Sequence, residues 1–215
     1  MNGAAIAVLI VSLTTAHTIA QDYPAVVEKM AAIGTCYVTR AAPKDKTAPK
    51  TTAKANAIIG VDFRPNADAD PKKVAALVKE LSTIPDLESV LLLGMTVTDE
   101  AADAIPTTPK VRSIQFFNTA VTDKGIAKLA RLSNLEVFNF TGMGLTDEGM
   151  KAIGKMKTLH TIEIVDAKIT DAGVLELSGL PNLRTLTIQN SAASQSSVDQ
   201  LQQRLPQTEQ RRFFR

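Results

Sequence analysis

One cysteine, no tryptophan, two histidines and 4% aromatic residues in a chain of 215 leave little material for several kinds of function. With Cys36 alone, no internal disulfide can form, so the fold cannot be a disulfide framework. Cys36 reads as a small apolar residue of an N-terminal cap, or as a reactive thiol. The thin aromatic supply excludes a stacking platform for single-stranded nucleic acid. Neither sign of charge is in excess, with Lys+Arg 24 against Asp+Glu 22 and a net charge of +2. A nucleic-acid footprint needs a strongly basic face, so none is expected.

Chemistry-bearing motifs are also missing. The sequence has no Cys-x-x-Cys, no His-Glu-x-x-His, no phosphate loop and no Gly-x-Ser-x-Gly. His160 is the one imidazole beyond the first 20 residues. A thiol nucleophile would need it beside Cys36, yet the repeat alignment below puts five strand spacings, about 24 Å, between them. No catalytic residue, metal site or cofactor is expected, and the chain reads as non-enzymatic.

No long apolar run is present either. Ala4–Leu13 falls short of the roughly 20 residues that a spanning helix requires. The first 20 residues hold no charged side chain, and Thr18-Ile19-Ala20 places small residues before Gln21. Residues 1–20 therefore read as an export signal, although without a basic start. The protein is expected to be periplasmic or secreted and not membrane-inserted after cleavage; the alternative is an anchor through an uncleaved N-terminal segment.

What the sequence does contain is a period. Thr-Asp recurs at Thr98-Asp99, Thr122-Asp123, Thr146-Asp147 and Thr170-Asp171, every 24 residues. Such a period marks a stacked repeat protein whose units bury their apolar faces against one another. Before each pair runs an apolar-x-x-apolar-x-apolar segment: Leu87/Val90/Leu92, Val111/Ile114/Phe116, Leu135/Phe138/Phe140 and Leu159/Ile162/Ile164, with a fifth copy at Leu183/Leu186/Ile188. Its last two positions alternate as in a strand. After the pair the spacing becomes helical, as in Ile126/Leu129/Leu132, Met150/Ile153/Met156 and Val174/Leu177/Leu180. Each Asp, with its Thr, is expected to cap the helix it opens. A calcium role is disfavoured because neighbouring helices lie about 8–10 Å apart, against about 2.3–2.6 Å from ligand to ion. Gly125, Gly149 and Gly173 suggest close backbone packing.

These segments, for example Leu159-His160-Thr161-Ile162-Glu163-Ile164 followed by Ile169-Thr170-Asp171-Ala172-Gly173, resemble leucine-rich repeats. The helical second half is similar to the ribonuclease-inhibitor-like or cysteine-containing subclass, in a form common in bacterial exported proteins. The resemblance covers about residues 58–205. It implies an α/β fold, a right-handed leucine-rich-repeat solenoid with a parallel sheet on the concave face and helices on the convex one. The position after the strand, often Asn or Cys in that family, holds Met95, Thr119, Met143, Ala167 and Ser191 here, so no Asn ladder is expected.

The organisation expected is a signal at 1–20, an N-terminal cap and basic loop at 21–57 with Lys44, Lys46, Lys50 and Lys54, about six repeats at 58–205, and a C-terminal tail at 206–215. Asp70 reads as an N-cap before Pro71, and Pro106 with Pro109 should shorten the next helix. Phe213 and Phe214 either close over the last unit or fray.

If the strands line a concave face, alternate side chains project from it. The candidate partner-binding residues are Leu91, Leu93, Gln115, Phe117, Asn139, Thr141, Glu163 and Val165, with Leu91, Leu93 and Phe117 as an apolar cluster. The alternative is that the cap or the basic loop covers that cluster. Arg112, His160 and Arg184 flank the sheet edge. The function this supports is binding of a protein partner of unspecified identity and oligomeric state. Other readings are an envelope-associated spacer without a dedicated ligand, a glycan or small-ligand binder, and, were the N-terminus no signal, a cytosolic substrate-receptor-like regulator.

Overall fold

The 24-residue offset appears directly as strand register. In the computed structural model, which describes residues 8–11, 25–40, 58–205 and 209–214, Val90 lies beside Ile114, Ile114 beside Phe138, Phe138 beside Ile162 and Ile162 beside Leu186. These residues belong to strands β4 (Ser89–Leu93), β5 (Ser113–Phe117), β6 (Val137–Thr141), β7 (Thr161–Val165) and β8 (Thr185–Gln189). All five are parallel and each shows the same alternation of half-buried and buried residues, as a strand with one face on a core must.

Between them run the helices α3 (Asp99–Ala104), α4 (Asp123–Leu129), α5 (Asp147–Ile153) and α6 (Asp171–Leu175), with α7 (Gln195–Arg204) after β8. Their apolar positions at i, i+3 and i+6 are buried as the spacing predicts, for instance Ile126, Leu129 and Leu132. Upstream stand α1 (Ala25–Ile33), β2 (Gly34–Arg40), β3 (Ile58–Pro65) and α2 (Pro71–Glu80). One sheet holds every strand in sequence order. β3 pairs parallel with β4, and β2 pairs antiparallel with β3 as a cap strand. One apolar core runs from Val26 to Leu205. At its centre Phe116, Phe138 and Phe140 meet with ring centroids 6.4–6.5 Å apart.

Two segments outside the repeats also join the sheet. β1 (Val8–Val11) pairs antiparallel with β2, and β9 (Glu209–Phe214) pairs parallel with β8. The segment expected to be a tail thus extends the sheet. The last parallel strand leaves N–H and C=O groups open along its edge, and another strand satisfies them. The basic loop around Lys44–Lys54 lies outside the described residues, as does most of the segment read as a signal.

The Asp series caps differently from the sequence expectation. From α4 to α6 the cap is the helix's own Thr: the Thr122, Thr146 and Thr170 hydroxyls accept from the N–H of Lys124, Glu148 and Ala172. The Asp reaches instead into the following unit. Asp99 Oδ1 accepts from Thr122 N–H at 2.7 Å and from Gly125 N–H at 3.1 Å, while Oδ2 accepts from the Thr122 hydroxyl at 2.7 Å. Asp123 accepts from both the N–H and the hydroxyl of Thr146, Asp147 from those of Thr170 and Asp171 from those of Ser194. The Ser194 N–H, and then its hydroxyl, keep the Asp171 carboxyl below the usual carboxylate range. Hydrogen bonds to an ionised acceptor are the stronger kind, so this ladder ties slice to slice.

The glycines make room for that ladder. A Cβ on Gly125 would lie 2.5 Å from Asp99 Oδ1, and on Gly149 or Gly173 it would press on the carboxylate of Asp123 or Asp147. Backbone packing, the reading from sequence, is not their reason. The first unit shows the converse. Pro71 occupies the first turn of α2 where later helices begin with Asp, so the Thr98 hydroxyl is left without a partner. Ala101, fully buried, then stands where later units need glycine.

The return loops carry a second ladder. Lys110, Asn134 and Asn182 each donate to a carbonyl of the preceding unit, those of Pro85, Pro109 and Lys157, and the Thr158 hydroxyl donates to Leu135. Asp70 caps α2 by accepting from Lys72 N–H at 2.9 Å. α3 stops after six residues, ahead of Pro106 and Pro109 as expected. Its bare carbonyls at Asp103 and Ile105 take donors from the Arg131 guanidinium, which replaces the caps a helix end requires.

Candidate functional site

Every residue proposed from sequence for the concave face stands on β4 to β7, on the side turned away from the helices. Leu91, Gln115, Asn139 and Glu163 are consecutive register partners in one row, and Leu93, Phe117, Thr141 and Val165 are consecutive in the next. All eight are half-buried, which is what residues on a solvated face between close neighbours show. Leu91, Leu93 and Phe117 are therefore neither core nor freely exposed.

The sheet carries this face further than the repeats alone implied. Tyr37 pairs with Asp62, and Asp62 pairs with Leu91. One row thus reads Tyr37, Asp62, Leu91, Gln115, Asn139, Glu163, Thr187 across seven strands. The antiparallel cap strand that adds Tyr37 has no repeat signature. Asp62 is half-buried, and burial raises its carboxyl above the usual value. Two carboxylates, Asp62 and Glu163, bracket the neutral middle of the row.

Asn139 donates to Gln115 Oε1 at 3.4 Å. Its own Oδ1 is buried without a hydrogen-bond partner, an uncommon state for a buried acceptor. Below the strands, Arg112 is paired with Glu136. Arg184 is exposed and His160 half-buried.

Cys36 is buried on the core side of β2. Loss of solvation, and then the Asp62 carboxylate, push its thiol up to about 12. A thiol so far from ionisation at neutral pH is a poor nucleophile, so the core reading of Cys36 holds over the reactive one. Among the described residues no group of His, Cys, Asp and Glu could hold a metal ion.

The two side chains that sequence reasoning passed over as surface features are Met95 and Met143. They are 68% and 69% exposed, the exposed large hydrophobics among the described residues. Each follows a glycine at positive φ, Gly94 at 98° and Gly142 at 146°. Those glycines were the available signal, since such a φ is rarely adopted by other residues.

No protein-family model matches the chain, and no curated protein matches it. Among solved structures, a leucine-rich-repeat protein of Leptospira interrogans aligns at 18% identity with a TM-score of 0.41, over 62% of this chain and 33% of that one. The chain spans about a third of that protein's length. Strand order, the common register offset and the strand–turn–helix unit, seen in the structure itself, establish an α/β solenoid with the fold of a leucine-rich-repeat protein.

Proposed function

We propose that this protein is exported and binds a protein partner on the concave face of its sheet. The observation that carries the reading is the row-by-row arrangement of half-buried Leu91, Leu93 and Phe117 on a face otherwise lined by neutral polar groups. A rigid parallel sheet presents such a patch without ordering cost, and a few apolar anchors supply most of the energy of such contacts. The open Asn139 acceptor and the carboxylates of Asp62 and Glu163 favour a partner that brings an apolar anchor flanked by hydrogen-bond donors.

Affinity capture from the native host tests this. Phe117→Ala and Leu91→Asp are each expected to weaken capture by about tenfold or more, the loss of a good anchor being worth about 2 kcal/mol. Undiminished capture by both variants rejects the patch. Neither side chain is in the core: Phe117→Ala should melt close to the parent, while Leu91→Asp sets a second carboxylate beside Asp62 and should lose up to about 1 kcal/mol.

Export rests on the uncharged apolar start and the small residues before Gln21. Cleavage there removes β1 and leaves β2 as the edge of the sheet. N-terminal sequencing of protein from the host should read Gln21 first; a chain beginning at Met1 in the soluble fraction contradicts export by cleavage. No helix among the described residues is long and apolar enough to cross a membrane.

A further inference from the structure

We propose that Met95 and Met143 form a paired oxidation site on the rim of the sheet, where a peroxide converts an apolar edge into a polar one and leaves the core intact. The exposure of these two thioethers is set by backbone geometry. Gly94 and Gly142 place the next residue at the outward corner of a turn, which Val97 N–H closes onto Gly94 O at 3.1 Å in the first case. In the intervening units Asn118 and Asp166 take φ of 51° and 59°. The residues that follow them, Thr119 and Ala167, are only 5% and 4% exposed. Over these four units the two turn types alternate, Asn190 at 50° then repeating the second type, and methionine occupies the outward corner at both glycine turns.

The other described methionines are protected. Met30 and Met150 have no exposed surface and Met156 has 3%. Oxidation follows access to the sulfur, so the fold divides the described methionines into two reactive and three shielded ones. The reactive pair sits two strand spacings apart, about 10 Å. Between them runs β5, whose Phe117 carbonyl accepts from Gly94 N–H at 3.1 Å.

The chemistry is a two-electron transfer. A sulfur lone pair attacks one peroxide oxygen, the S–O bond forms and the O–O bond breaks. The sulfoxide remains on the protein and the peroxide leaves as water. Reversal takes two thiols through a thiol-dependent sulfoxide reductase: they give up two electrons and two protons, the oxygen departs as water and a disulfide forms. A polar rim beside Leu93 and Phe117 would weaken partner capture, a consequence that rests on the concave-face reading. If the Phe117 and Leu91 variants bind normally, that consequence falls while the oxidation site stands.

The test is graded hydrogen peroxide on the full chain, with peptide mass mapping and thermal unfolding followed by circular dichroism. Met95 and Met143 should each gain one oxygen at least about tenfold faster than Met150 and Met156, which react only when the core opens. At the dose that completes the fast reaction, the melting curve should not move. M95L/M143L should melt like the parent before and after that dose, with Met30, Met150 and Met156 still unreacted. Comparable rates at exposed and buried sites overturn the proposal. So does a melting transition lost at the fast dose.

Discussion

Gly173→Ala should destabilise the protein by about 2 kcal/mol, although alanine in a helix ordinarily gains about 0.5–1 kcal/mol over glycine. The new Cβ would press on Asp147 Oδ1, its other near neighbour being Met150 Cγ at 3.2 Å. To make room, the carboxylate must leave Thr170, where it accepts from the N–H at 2.8 Å and from the hydroxyl at 2.6 Å. Asp147→Ala alone should cost about 1–3 kcal/mol, because charge-assisted bonds are lost and an N–H donor is orphaned. In the Asp147→Ala background only Met150 Cγ at 3.2 Å remains; that unbranched, flexible chain can give the few tenths of an ångström needed, and Gly173→Ala should then stabilise.

That sign reversal, read from urea midpoints in a double-mutant cycle, measures the coupling of one rung. Additive effects would show that the carboxylate and the glycine do not compete for the same space. The first unit already holds the doubly substituted arrangement, with Pro71 in place of the acid and Ala101 in place of the glycine.

Phe138→Ala should cost about 3–5 kcal/mol, the usual range for emptying a large aromatic site in a packed core. Phe138 has no exposed surface. It lies 6.5 Å from Phe116 in the preceding unit and 6.4 Å from Phe140 in its own. In a solenoid each unit touches only its neighbours, so a void at mid-stack weakens both halves' hold on each other. The urea midpoint should fall, and the slope should fall with it as the halves begin to unfold separately. A loss below about 1 kcal/mol would mean that the neighbouring units collapse onto the gap.

Much of the architecture was legible because it is local. Val90 and Leu92, or Ile162 and Ile164, alternate within one strand, and Met150, Ile153 and Met156 recur within one helix. Each such pattern names its own buried side without reference to any other unit. Pro106 and Pro109 foretold the short α3 for the same reason, since proline acts on the turn in which it stands. The candidate face followed, because the partners of buried strand residues must point outward.

What failed to be legible was mostly between units. The sequence showed that Asp123 stands at a helix start, but its hydrogen-bond partner is Thr146 one slice away, and Gly149 is small on account of that carboxylate. Tyr37 joined the concave row through an antiparallel strand that shares no repeat pattern. Met95 and Thr119 occupy the same place in the period, yet one is exposed and the other buried. The difference lies in the φ adopted by the residue before each.

Residue spacing alone specifies the slice: its strand, its helix, its buried stripe and the number of copies, because burial patterns repeat wherever local geometry does. How slices bind one another, and which side chains their turns expose, emerges only when the units are stacked. Those outcomes depend on the stacking offset and on turn conformation, which bring residues some 24 positions apart within hydrogen-bond reach; Gly94 and Gly142 mark their turns but not the side chain each one turns outward.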